Sequence, residues 1–490
     1  MPKFHLFAPI HPSCAVLCFF LGIIFGDLLF LVTSFCPNLS FFWLFLSVLL
    51  LATALLFSCP ATLILALSAG FILINFRTTA ELQGQRLLSQ LRGQTILISG
   101  DIAADPDLKD ARVVVKLKNL HLNGQRPLSG TLFVQLPPNR KLQRSDHLVL
   151  QGKLQPGFGT YVGLLNRPRL LSIKRPEPGD LFLTFRNNFA RPIRQYIPST
   201  AVDLGLGYLL GIRSGLPSSL NDLLRVVGLT HIVVASGTHL SILVGFVRQI
   251  FGRLSRFASL FFSIFLILGF VGVIGPTPSM LRASSVSILS LIAWYVGRKF
   301  QPLRLIIIVA ALTLCFDPMF PLSLGWLLSI ASFSGILLLS PIIIRYFYGQ
   351  HAPGLLGSTI IATLSASLLC NPILLFYFGS LSLLSIFANL LILPTISLAI
   401  ALVFLTGMFS FLPFLAQIIG FCTTLLLNYH IAVVNFLGQQ SNFLIQISPH
   451  NPLVFLLYLP AIFIYLTSVW YNSKHGRSNS LASQPSYSPV

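Results

Sequence analysis

Charge is what this chain has least of. Asp, Glu, Lys and Arg together make up 9% of its 490 residues, against about 25% in an average soluble chain, while 54% of it is hydrophobic. With a mean hydropathy of +0.83 and several separate apolar runs near the roughly 20 residues that cross a bilayer, only a polytopic helical membrane protein fits. Acids are scarcer still: 12 Asp and Glu stand against 32 Lys and Arg. Cysteine is absent from the one long polar stretch. The seven present (Cys14, Cys18, Cys36, Cys59, Cys315, Cys370, Cys422) lie in or beside apolar runs without a C-x-x-C, which argues against a disulfide-stapled domain and a cysteine metal site. Enzyme signatures are missing as well: no H-E-x-x-H, H-x-H-x-D-H, G-x-x-x-x-G-K-[ST] or G-x-S-x-G occurs. No catalytic activity, metal or cofactor is therefore expected.

What is present falls into five segments. Residues 1–76 hold N-terminal spans, with no clear cleavage site for a signal peptide. Cys14–Thr33 is the first span, Gly22 and Gly26 give it a close-packing face, and Asp27 is placed near the membrane edge. The apolar run Ser40–Phe76 is split in two by Pro60. Three spans would put the next segment on the side opposite the N-terminus. Residues 201–471 carry further spans or half-spans near 202–213, 228–250, 257–275, 280–297, 303–316, 323–347, 355–378, 381–408, 411–437 and 452–471. The Ser-rich tail 472–490 is expected to be disordered and, with Lys474 and Arg477, cytoplasmic. Prolines at 276, 278, 318, 321, 372 and 394 predict broken helices, tolerated at membrane depth where they line a cavity.

Residues 77–180 differ in kind. Between Arg77 and Arg194 the chain has nineteen Lys and Arg against eight Asp and Glu, a balance that suits a polyanion or an anionic lipid surface. From about 94 to 176 the pattern has period two in T-I-L-I-S-G, R-V-V-V-K-L-K, G-T-L-F-V-Q-L and H-L-V-L-Q-G-K-L, separated by turn residues such as Asn123-Gly124. Five or six short strands predict a small barrel of OB-like kind. Arg112, Lys116, Lys118, Arg140, Lys141, Arg144, Lys153, Arg167 and Arg169 are its candidate phosphate-binding cations. Aromatics are few (Phe133, Phe158, Tyr161), so backbone electrostatics would dominate. Residues 181–200 follow as an interfacial amphipathic linker, apolar on one side with Arg186, Arg191 and Arg194 on the other. The fold class is thus an all-α polytopic membrane protein, with about 10–13 spans or half-spans and an inserted all-β domain.

The polar residues inside the apolar half single out V-G-L-T-H-I-V-V-A-S-G-T-H-L-S-I-L-V-G, residues 227–245. His231 and His239 flank a small-residue notch at Ala235, Ser236 and Gly237, which suits an internal, broken helix. Arg282 opens a later span; snorkelling is its plain reading and an anion path its functional one. Asp317 before Pro318 suits a helix boundary. Asn389 suits a helix-to-helix hydrogen bond.

Four segments carry a family resemblance. L-L-G-I-R-S-G-L-P through G-L-T-H-I-V-V-A-S-G-T-H (209–239), P-S-M-L-R-A (278–283), D-P-M-F-P-L-S-L-G-W-L-L-S (317–329) and F-G-S-L-S-L-L-S-I-F-A-N-L-L-I-L-P (378–394) resemble, in order and spacing, those of ComEC-type competence proteins. The family's motif positions carry over to Gly228, His231, Ser236, Gly237, His239, Arg282, Asp317 and Asn389. The resemblance implies an inner-membrane channel for single-stranded DNA in natural transformation, with an OB-like domain outside. Two departures stand out: there is no metallo-beta-lactamase-like domain after the last span, so a nuclease is expected on another chain, and no cysteine pair in the polar domain. Expected partners are single-stranded DNA, membrane lipid, separate nuclease, DNA-receptor and cytoplasmic motor chains, and further copies of the chain. Physics alone leaves a transporter of another anionic polymer or lipid-linked intermediate open. A membrane hydrolase using Ser236 and His239 is a third reading, weakened by the absence of an acid placed to orient the histidine.

Overall fold

The computed structural model describes residues 12–33, 67–74, 78, 86–109, 112–124, 126–138, 142–233, 237–251, 255–298, 301–349, 351–382, 384–440 and 444–460. Expectations for Pro60, Arg140, Lys141, Ser236 and the tail 472–490 fall outside these residues. Two compact units emerge: Met1–Leu181 with Arg304–Trp326, and Phe182–Leu303 with Leu327–Val490.

In the first unit, α1 (Pro12–Thr33) packs on helical residues 67–74 through glycine. Gly22 backs onto the Leu67 carbonyl and Gly70 onto that of Phe19, while a Cβ at Gly26 would lie 2.7 Å from Ile74 Cγ2. Small residues are what allow two membrane backbones this close. Asp27 is fully buried, with its Oδ1 3.1 Å from the Thr78 hydroxyl.

The alternating runs do form strands: β1 (Thr95–Ile102), β2 (Asp107–Lys109), β3 (Arg112–Leu122), β4 (Arg126–Leu128), β5 (Thr131–Leu136), β6 (His147–Pro156), β7 (Tyr161–Asn166) and β8 (Arg169–Lys174). The main ladder runs β1–β3–β5–β7–β6, and β6 pairs back onto β1, which closes the sheet into a barrel. Every pair in this ring is antiparallel except β5–β7, which is parallel. Closure leaves the ring without a free edge. Alternate residues fill the interior: Leu132, Val134 and Leu136 of β5 point in and are essentially buried, while Thr131, Phe133 and Gln135 point out. Asn123 and Gly124, both at positive φ, turn β3 into β4.

In the second unit the spans follow as α2 (Leu181–Tyr196), α3 (Ser199–Leu210), α4 (Ser218–Val226), α5 (Thr230–Val233), α6 (Gly237–Phe251), α7 (Arg256–Ile274), α8 (Pro278–Tyr295), α9 (Pro302–Phe316), α10 (Leu324–Tyr348), α11 (Leu355–Phe378), α12 (Leu384–Met408) and α13 (Pro413–Gly438); α9 and the start of α10 belong to the first unit. Among the described residues, α7, α10, α11, α12 and α13 are long and apolar enough to cross a membrane. The chain is therefore a membrane protein. The α3 helix is 12 residues long, about 18 Å, which makes it a half-span. It is buried nearly all round, in a core with Ile392, Ile396 and Val403 of α12 and Leu427 of α13.

Two expectations need correction. Pro372 and Pro394 lie inside continuous helices. The breaks fall instead at Pro276/Pro278 and Pro318/Pro321, between helices, where Pro at the first helical position suits the chain. Arg186 is on the buried side of α2, whereas Arg191 and Arg194 are exposed and Leu181, Phe182 and Phe185 make up the exposed apolar surface. Residues 452–458 form a 3-10 helix that passes into α-helix at 459–460, and the rest of the span expected at 452–471 lies outside the described residues.

The glycine contact makes a direct prediction. Gly26→Leu has no room beside Ile74 and Phe71 and should destabilise the protein by about 1–3 kcal/mol or more, read as a lower thermal midpoint in detergent. An unchanged midpoint would contradict the packing of α1 on residues 67–74.

Candidate functional site

In the first unit the outward side of β3 carries Arg112, Lys116 and Lys118, every second or fourth residue of one strand. The adjacent β5 contributes Phe133, directly opposite Lys116, and Gln135. The Gln135 side chain accepts a hydrogen bond from Arg112 Nη1 at 3.0 Å and so fixes that guanidinium. Parallel pairing of β5 with β7 brings Tyr161 alongside Thr131, and the β6–β7 loop supplies Phe158. The rings of Phe133, Phe158 and Tyr161 touch edge to face in all three pairings, with centroids 5.2, 5.1 and 5.1 Å apart. The Lys116 ammonium lies 5.9 Å from the Tyr161 ring centre, within cation–π range. A sparse set of aromatics thus becomes a cluster, because strand register brings Phe133 to the distant pair Phe158 and Tyr161. Composition held no signal of it.

The other proposed cations divide. Lys153, Arg167 and Arg169 are exposed on β6 and at the β7–β8 turn. Arg144 is buried, with its Nε 2.8 Å from Asp180 Oδ2. It serves the interior of the domain, and its charge is already matched.

Asp317 turns out to be linked to this face. It sits between α9 and the 3-10 turn Phe320–Leu322, where its Oδ1 accepts from the Met319 amide at 3.0 Å. Its Oδ2 lies 3.7 Å from Lys118 Nζ. The same corner is braced by Trp326, whose indole N–H donates to the Thr313 hydroxyl at 2.8 Å. The boundary role expected of Asp317 is present, together with an ion pair to the β domain. That pair is partly exposed, a class worth about 0–1 kcal/mol, so a competing anion can exchange with it.

In the second unit the motif residues lie at helix ends and helix crossings. Gly228 is at positive φ, and a Cβ there would lie 2.9 Å from that of Ser385. Its carbonyl is 3.0 Å from Nδ1 of His231, whose side chain is exposed. Residues 230–233 are helical as α5 and residues 237–251 as α6, while Ala235 and Ser236 of the expected notch lie outside the described residues. A Cβ at Gly237 would lie 3.7 Å from that of Ala283, which puts the starts of α6 and α8 together. His239 is buried, stacks on Phe270 and donates from Nε2 to the Tyr208 carbonyl. Tyr208 is in the last turn of α3, whose final carbonyls have no partner within the helix, and inside a bundle the histidine stands in for water. That bond places the ring proton on Nε2.

Arg282 packs against α10. Its guanidinium lies 5.3 Å from the Phe333 ring centre, and its Nε is buried with no hydrogen-bond partner among the described residues. Asn389 is buried too, and its Oδ1 has no hydrogen-bond partner among the described residues. One residue went unnoticed in the sequence: His430 of α13, fully buried, with Nε2 2.8 Å from the Thr395 hydroxyl and its ring 5.8 Å from that of Tyr208. A polar ring in the middle of a 26-residue apolar helix was the available signal.

Comparison with known proteins matches this arrangement to one family. The sequence model for the competence protein family covers residues 208–472, more than half of the chain and all of the motif positions of the membrane half. ComE operon protein 3 of Bacillus subtilis (strain 168) is 27% identical over 215 residues, 43% of this chain and 27% of that relative. The match therefore spans about a quarter of the relative's length. No solved structure matches. The chain belongs to the competence protein family.

Proposed function

We propose that this protein is a bacterial inner-membrane conduit for single-stranded DNA during natural transformation, with its β domain capturing DNA on the extracytoplasmic side. The observation that carries this reading is the joining of a competence-family membrane half to a closed barrel with Arg112, Lys116 and Lys118 on one outward face. A small closed barrel with one basic face supports an OB-like assignment, in which the binding surface centres on the second and third strands of the barrel. Here those are β3 and β5, the strands that carry the basic and aromatic side chains. In the membrane half the buried, unpaired Arg282 Nε suits a path for anions, because an unmatched cation in low dielectric favours a passing phosphate. His231, Gly237, His239 and Asn389 would shape that path. The protein acts as a conduit, with receptor and motor chains delivering and drawing in the strand.

Family membership supports competence and DNA uptake; capture by the barrel rests on electrostatics, which any polyanion shares. The test is a salt series of single-stranded DNA binding by the full chain in nanodiscs, with heparin as control. Replacing both Lys116 and Lys118 by Ala should lower the log–log salt slope by about 1.4, at roughly 0.7 per phosphate contact on single strands. Equal affinity for heparin, with no change in slope, would favour a transporter of another anionic polymer.

The His239–Tyr208 bond gives a second prediction. His239→Leu leaves a buried carbonyl unpaired, which costs about 1–3 kcal/mol, and should lower both thermal stability and DNA uptake. His239→Gln keeps a donor and should recover part of both. A Leu variant with full stability and uptake would remove this residue from the account.

A further inference from the structure

We propose that Phe133, Phe158 and Tyr161, together with Lys116, form a stacking site for an unpaired nucleobase, one that selects single strands over duplex. This rests on the capture reading above and adds what the cations cannot supply, discrimination by base exposure.

The geometry points there in four ways. The three rings already hold one another edge to face, so the site exists before any ligand arrives and little side-chain entropy is lost on binding. Phe158 is 53% exposed, the most exposed large apolar side chain among the described residues of the β domain. It meets the other two rings edge to face, while about half of its surface faces water and can take an apolar partner. The loop that carries it is rigid: the Tyr161 amide donates to the Phe158 carbonyl at 3.0 Å, and Gly159 takes a positive φ of 56° that a side chain would resist. Finally, the charges are placed for a backbone running past the ring. Lys116 lies beside Tyr161, and Lys118 follows on the same strand face about 7 Å away at 3.4 Å per residue. A duplex keeps its base faces covered and offers Phe158 nothing to stack on.

The experiment uses the full chain in nanodiscs of zwitterionic lipid and two probes of equal length, an oligothymidylate and an abasic sugar–phosphate oligomer. The expected result is about tenfold tighter binding of the oligothymidylate, in line with one stacked base. Phe158→Ala should abolish that preference and leave abasic binding unchanged, Phe158→Trp should keep it, and Lys116→Ala should weaken both probes together. Equal binding of the two probes by the unaltered chain overturns the stacking site and leaves capture by cations standing. A preference that survives Phe158→Ala also overturns it and would leave the exposed ring as a membrane-interface anchor. Binding of neither probe removes the capture reading itself.

Discussion

A polar group buried among membrane helices has no water to turn to, and the second unit is arranged around that constraint. The half-span α3 ends inside the bundle, and His239 takes up its Tyr208 carbonyl. Helix pairs are tied by hydroxyls in the same way, Ser340 to Ser365 at 3.0 Å and Thr406 to Thr423 at 3.2 Å. Against this background the exceptions are informative. Among the described residues the Arg282 Nε and Asn389 Oδ1 are buried without a hydrogen-bond partner, as are the hydroxyls of Ser259, Ser263 and Thr363. Buried polar atoms without a partner cost free energy, and under the proposed function those of Arg282 and Asn389 would serve a passing polyanion.

The first unit meets the same constraint by closure. Pairing β6 with β1 satisfies the backbone within a ring, which frees the outward side chains of β3, β5 and β7 for recognition. Two of the polar contacts on that face are exchangeable. Lys118 is held by Asp317 across a partly exposed 3.7 Å pair, and Arg112 by the neutral Gln135 amide. Both cations are positioned without being fully buried, as the proposed capture of phosphates would require. Arg144 is the counterexample: buried with Asp180, it has no such freedom.

Much of the architecture was legible in the sequence because hydropathy reports it directly. The expected span at 355–378 is α11 itself, the one at 257–275 differs from α7 by a residue, and four alternating runs became β1, β3, β5 and β6. What was not legible depends on contacts between distant residues. The aromatic cluster needs the parallel register of β5 and β7. The link between Lys118 and Asp317 joins residues assigned to different roles. Pro372 and Pro394 were expected to interrupt helices, but neighbouring helices hold the chain helical through them. His430 escaped notice because it belongs to no recognised motif, although its burial against Tyr208 and Thr395 puts it at the same half-span end as His239.

The central claim is that this chain passes single-stranded DNA across a membrane, and transport is its most direct test. Proteoliposomes containing the full chain, with a single-strand-binding protein enclosed to draw the strand inward, would be given labelled single-stranded or duplex DNA and then external nuclease. The account predicts nuclease-protected single strands in the lumen, little protected duplex, and loss of protection on Arg282→Ala. Single strands that bind the outside yet remain fully nuclease-sensitive would contradict it.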